Sequence, residues 1–279
     1  MQKEKAFLYI DTNFSNDEAL MLDMAFRSFN FELVGISSIR SQMTAEAGAD
    51  NILGLNEDHE LFLPIAKGYE KNLKEDQMAT KAGDIFHYKN HKDYLEEMDV
   101  EDQIYDIAQD CGKIDILATG PLTNIARALD KYEDLEDYIS HIFISGGNLY
   151  GTDFNFKEDP QAINKILNSS IDIFILAKNL ADGIEVTDSF LESLYRDNKN
   201  KEIIERLKDD KDKRFLYGPL LLYLVEKPEA FIFEETGVKV DDEENVGEMI
   251  RVNSRRKVYL ANRVNEESFL EYIEGKLCK

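Results

Sequence analysis

The chain reads as an α/β protein with a mostly parallel central sheet flanked by helices. Three observations predict this. Short apolar runs of strand character alternate with helical runs over most of the length, the pattern of parallel strands joined by crossover helices. The strand-like runs end in Gly, Thr or Asn, residues suited to a turn into a helix. With 279 residues, 43% of them hydrophobic, the chain can bury one large core, and it shows no repeat, low-complexity tract or linker. One domain over 1–279 is therefore expected.

The elements follow in order. Ala6 to Ile10 is a short run of strand formers, and Ala19 to Phe26 is apolar on most faces, as a buried helix is. Phe31 to Ile39 reads as a second strand, Ala45 to Leu55 as a helix, and Leu61 to Ala66 as a third strand whose Pro64 marks an edge or an end. From Lys67 to about Glu101 the chain is highly charged, with only Asp84 to Tyr88 offering a short strand. An insertion of this kind between sheet elements can form a lid. Its His87 and His91 share a helical spacing, but no acid motif supports a metal site there.

Alternation resumes with a helix from Val100 to Gln109, a strand from Ile114 to Ala118, a turn from Thr119 to Asn124, and a helix from Ile125 to Tyr132. A strand from His141 to Ser145, a helix from Pro160 to Leu167 and a strand from Ile171 to Leu176 come next. Short helices are predicted over Ser189 to Tyr195 and Ile203 to Leu207. A strongly apolar helix opens at Gly218-Pro219, since proline at the first helical position needs no N–H partner. Val238 to Val240, Glu248 to Val252 and Lys257 to Leu260 resemble short antiparallel strands, and a last helix runs from Glu266 to about Lys276.

Lys plus Arg number 33 and Asp plus Glu 56, a net charge of −23. That field repels nucleic acid and anionic lipid, which argues against both as partners. Cys111 and Cys278 suggest neither a disulfide framework nor a zinc site. The N-terminal Met1 to Lys5 runs into a strand without a signal-peptide core, and no apolar run reaches membrane-spanning length. A reduced, cytoplasmic protein is the expectation.

Oxygen-bearing side chains crowd the first strand-to-helix turn: Asp11, Asn13, Ser15, Asn16, Asp17 and Glu18. Open α/β sheets place ligands at this end of their strands, so the turn could hold a hard cation or a polyol. A structural reading stands beside it. Ser15 and Glu18 have the spacing of a capping box, and acids in a first helical turn complement the helix dipole. A phosphate or dinucleotide module is disfavoured, because Gly146-Gly147 is not a G-x-G-x-x-G turn, no G-K-[ST] occurs, and the acidic turn would repel phosphate.

Asp11-x-Asn13-x-x-x-Asp17-Glu18 resembles the D-x-D-P-G-x-D-D opening motif of the inosine-uridine-preferring nucleoside hydrolases. Thr119-Gly120-Pro121-Leu122-Thr123-Asn124-Ile125-Ala126 fits that family's T-G-P-L-T-N-I-A segment at every residue. Gly146-Gly147 with Asp153-Phe154-Asn155-Phe156 and Asp159-Pro160-Gln161-Ala162 resembles its G-G … E-F-N … D-P-E-A region, and Leu216 to Leu220 lies where it has H-D-P-L. The resemblance covers nearly the whole chain. It implies a nucleoside hydrolase-like fold, a homo-oligomer (dimer or tetramer), and hydrolysis of the N-glycosidic bond of ribonucleosides. It also implies a calcium ion that holds the ribose hydroxyls and the attacking water.

Carried over residue by residue, the resemblance places Asn13 at an aspartate that ligates calcium and acts as base, Glu18 at a bidentate aspartate, and Gly218 at the last metal aspartate. Thr119 is matched to a backbone-carbonyl ligand. Tyr217 stands for a histidine that helps protonate the base, Gln42 for an asparagine and Asp153 for a glutamate at the ribose. Asp17 and Asn155 match sugar-binding positions unchanged, and Asn148 is a candidate for an asparagine lost with a shortened loop. An amide cannot take a proton from water, and tyrosine is a poor acid near neutrality. Any base would then be Asp11 or Asp17, and any acid Tyr217 or a lid residue. Calcium loses two of three formal negative ligands, so weak or absent binding is expected. Hydrolysis of an N-riboside at a remodelled or metal-free site is one expectation, and a non-catalytic ribose- or nucleoside-binding or interaction protein of the same fold is the other.

Overall fold

A computed structural model describes residues 5–41, 43–79, 98–195, 201–209 and 215–278. Gln42, His87, His91 and the Asp84–Tyr88 run lie outside the described residues. The strands are β1 (Ala6–Thr12), β2 (Phe31–Ser38), β3 (Ile65–Lys67), β4 (Ile114–Ala118), β5 (Ile139–Ser145), β6 (Asp172–Leu176), β7 (Phe231–Val240), β8 (Met249–Val252) and β9 (Val258–Val264). The helices are α1 (Asn16–Phe26), α2 (Ala45–Asp58), α3 (Val100–Cys111), α4 (Thr123–Lys131), α5 (Phe154–Glu158) and α6 (Pro160–Leu167), then α7 (Lys178–Ala181), α8 (Asp188–Ser193), α9 (Lys201–Asp209), α10 (Tyr217–Glu226) and α11 (Glu266–Leu277).

The nine strands among the described residues form one sheet in the order β3-β2-β1-β4-β5-β6-β9-β7-β8. β1 to β6 are mutually parallel, and β9 joins β6 in parallel. β7 runs antiparallel to both β9 and β8. The expected antiparallel character near the C-terminus therefore comes from β7, which is reversed between β9 and β8, while β9 extends the parallel sheet. β7 also starts at Phe231, seven residues before the predicted run. The polar Glu234-Glu235-Thr236 hides it in sequence, although Phe231 and Phe233 pack inward.

Pairing on both faces explains the apolar strands. Leu8 and Ile10 enter a core with α1, α2, α10 and α11, and Tyr9 enters a second with α3, α4 and α6. No described helix is long and apolar enough to cross a membrane. β3 is three residues at the sheet edge, beginning after Pro64, as proline allows. α10 begins at Tyr217, so Pro219 sits at the third position of the helix and not the first. It is still within the turn whose N–H groups have no helical partner. Two short helices, α5 and α7, were not legible as periodic segments. The strand order reverses between β1 and β4, a topological switch point that opens a crevice beyond their carboxyl ends.

Candidate active site

β1 carries Asp11 between Ser37 on β2 and Ala118 on β4. The Asp11 carboxylate is fully buried. Its Oδ1 accepts the Ser37 hydroxyl at 2.6 Å and the Asn124 amide at 2.7 Å, while Oδ2 has no partner. Burial outweighs both bonds and raises its pKa to about 6. Asn124 also donates to the Ser38 carbonyl and accepts the Tyr69 N–H, so Asp11 ties together β1, β2, α4 and the loop after β3. Asp11 is thus a buried strut with no surface for a substrate.

The turn after β1 takes a path of its own. Phe14 has φ +42° and is fully buried. The family pattern has proline here, whose ring holds φ near −65°, so this conformation is closed to the family residue. Burial of the ring in the α1 and α2 core holds the strained backbone in place. Beyond it, the Glu18 carboxylate turns back to accept the Ser15 N–H at 3.1 Å and the Ser15 hydroxyl, so Glu18 serves as a helix cap.

Asp17 keeps part of its surface open. It shares the single Ser15 hydroxyl hydrogen with Glu18 and accepts, at 3.0 Å, the backbone N–H of Gly218 at the start of α10. Burial raises its pKa, and Glu18 beside it is raised by burial and by the negative charge of Asp17. Gly218 is a packing residue: a Cβ there would lie 3.1 Å from the Met21 Cβ and 3.4 Å from the Glu18 Cα, where α10 meets α1. Tyr217 gives its phenolic hydrogen to Asp182 after α7. Burial, that bond and the nearby charges of Asp182, Asp17 and Asp153 all push its pKa up.

On the opposite wall Asn155, at the start of α5, donates its amide to the Thr119 carbonyl at 2.7 Å and to the Ser145 carbonyl at 3.4 Å. Its Oδ1 accepts the Ser41 hydroxyl at 3.4 Å, and Asn13 donates to the same Ser41 oxygen at 3.2 Å. Thr119 Oγ1 donates to Thr12 and, at 3.5 Å, to Asn13 Oδ1. Asp153 caps α5 by accepting the Phe156 N–H at 3.1 Å. Asn148 Oδ1 accepts the Tyr150 N–H within its loop, and its carbonyl accepts the Met249 N–H of β8.

Asn13, Asp17, Thr119, Asp153, Asn155 and Tyr217 thus converge on the carboxyl ends of β1, β4 and β5, whereas Asp11 lies beneath them. Ser41, Asn124 and Asp182 also build the site without having been singled out. Asn124 lay in plain view in the Thr119 to Ala126 segment, while Ser41 and Asp182 carry no sequence signal.

Calcium needs several oxygens converging without competing N–H groups. Here the Thr119 carbonyl is turned to the Asn155 amide, Asn13 is an amide bonded to Ser41, Glu18 folds onto Ser15, and Gly218 offers an N–H where a carboxylate would stand. Among the described residues no group of three or more His, Cys, Asp and Glu side chains is placed to hold a metal. The donor set does not fit a calcium ion.

A doubly covered, mostly parallel sheet with a carboxylate- and amide-lined crevice at its switch point is an open α/β architecture with its ligand site at the carboxyl ends of the strands. The family described as inosine-uridine preferring nucleoside hydrolase matches residues 8–271, and the chain belongs to it. It is similar to uridine nucleosidase 1 of Arabidopsis thaliana, 24% identical over 319 residues covering 98% of this chain and 93% of that one. It is also similar to the pyrimidine-specific ribonucleoside hydrolase RihA of Salmonella typhimurium, 25% identical with 84% of each chain covered. Among solved structures, a purine-preferring ribonucleoside hydrolase from Gardnerella vaginalis superposes with a TM-score of 0.87 over 97% of this chain and 98% of its own, at 20% identity. The plant nucleoside hydrolase PpNRh1 gives 0.84 at 18% identity, with 98% of each chain covered. At such identities these structures speak for the fold alone.

Proposed function

We propose that the crevice takes the ribose of an N-riboside and hydrolyses its N-glycosidic bond without calcium, with Asp17 as the base. The observation that carries this is the position of Asp17. It is an acid at the carboxyl end of β1, partly open to solvent, with a pKa raised by burial, and it is held by the Gly218 N–H. A raised pKa brings a carboxylate nearer the basicity that general-base work at neutral pH requires. Asn155 and Asp153 supply polar atoms for the sugar hydroxyls. Asn13 contributes hydrogen bonding and no base. The same proposal includes a cytoplasmic homo-oligomer, dimer or tetramer, which light scattering would measure.

A second reading, an N-riboside binder without turnover, is favoured by one observation: the Tyr217 phenol is engaged with Asp182 and is a weaker acid than an ordinary tyrosine. Ribose release from uridine, inosine and other N-ribosides, in chelator and beside Asp17→Asn, separates the two. Hydrolysis predicts release that survives chelator and falls on the order of 10²-fold or more in the variant, the usual worth of a general base. Saturable binding with no release would establish the binder.

A further inference from the structure

The Tyr217 phenol is fixed by two elements at the carboxyl ends of the strands. Its hydroxyl donates to Asp182, which follows α7 and whose own N–H donates to the Lys178 carbonyl at 2.9 Å. The Phe215 ring packs against it, with centroids 5.3 Å apart. One residue on, the Gly218 N–H holds Asp17 at 3.0 Å, so the residue that carries the phenol adjoins the one that holds the proposed base. The negative charges of Asp17 and Asp153, on opposite walls, both reach the phenol. The bond to Asp182 lies exposed, where a ligand in the crevice can reach the hydroxyl.

A phenol carries one hydrogen and two acceptor lone pairs. With that hydrogen on Asp182, what the oxygen offers a ligand is its lone pairs, and the bond it donates polarises it into a stronger acceptor. Asp182 sets this sense. Facing another hydroxyl, the phenol could turn its hydrogen either way, whereas a carboxylate accepts only. Burial and the surrounding charges oppose ionisation of the phenol, so the hydrogen stays between the two.

We infer that Tyr217, oriented by Asp182, is a specificity-determining acceptor that favours N-ribosides presenting a hydrogen-bond donor to it. The donor is the ring N–H of a lactam base such as uracil or hypoxanthine, or the 5′-hydroxyl of the ribose. The inference rests on the ribose site proposed above and deepens it. A site built to accept a substrate hydrogen rejects the analogue that lacks it, because the acceptor is then left without a partner. Asp182 is a positioning residue, acting through the phenol.

The test is calorimetric affinity and ribose release by the full chain with paired ligands. Uridine is set against 3-methyluridine, inosine against 1-methylinosine, and uridine against 5′-deoxyuridine. The expected result is a preference of at least about tenfold for the member that keeps the donor, in Kd for a binder and in kcat/KM for a hydrolase. A gap in the methylated pairs assigns the donor to the base, and one in the deoxy pair assigns it to the sugar. Tyr217→Phe keeps the ring and its bulk and should close the gap, as should Asp182→Ala. Asp182→Asn retains a carbonyl to take the phenol hydrogen and should preserve most of it. Gaps below about tenfold in every pair, or a gap undiminished in Tyr217→Phe, would overturn the inference while binding of uridine left the ribose site standing. No binding or release from any riboside would remove the ribose site and the inference with it.

Discussion

At the residue scale, the acids of this crevice are governed by burial and not by pairing. Asp11 has a native pKa raised to about 6 against an ordinary value of 3.8. The folded chain therefore binds its proton through an interval in which the unfolded chain has lost it. The corresponding stability is present below about pH 4 and is lost as pH rises through about 6, an effect of up to roughly 3 kcal/mol. Asp17 and Glu18 are shifted in the same direction. The thermal midpoint is predicted to rise as pH falls from 7.5 to 5.5. Asp11→Asn should flatten part of that slope, and a slope unchanged in the variant would contradict the assignment. Asn155→Ala should cost about 1–3 kcal/mol in urea denaturation, since it strips the buried Thr119 carbonyl of its donor. Added calcium should not restore that loss.

At the element scale, the junction of α1 and α10 decides what position 218 can be. Gly218→Asp, which restores the family residue, puts a Cβ 3.1 Å from that of Met21 in a fully buried contact. Overpacking of this kind costs about 1–3 kcal/mol, and because the opposing atom is the Met21 Cβ, a second change that removes it, Met21→Gly, should recover part of what the aspartate costs in that background. Equal stability of Gly218→Asp and the parent would refute the packing role. The sequence made the long elements of this region legible: Ala19 to Phe26 and Pro219 to Val225 are apolar on most faces, and both are buried helices. It did not make the short ones legible. α5 and α7, at five and four residues, are shorter than any periodicity can register. β7 was seen only at its end because its middle is polar where it leaves the core.

At the scale of the molecule, the parallel sheet and its switch point follow from alternating apolar runs, which is why the place of the site could be read before any geometry. The roles within it could not. The Asp17 bond to Gly218 spans 201 residues, that of Tyr217 to Asp182 spans 35, and that of Asn155 to Thr119 spans 36. Spacing carries no record of such contacts, and the motif letters gave their positions without their partners. Together these contacts engage the oxygens a cation would need with amide N–H groups and a helix start, and the central proposal is that this crevice works without calcium. The most direct measurement is calorimetric titration of the chelator-treated chain with calcium, repeated with an N-riboside present. No saturable heat in either titration is the predicted result. One ion bound per chain, with ribose release that appears only on its addition, would contradict it.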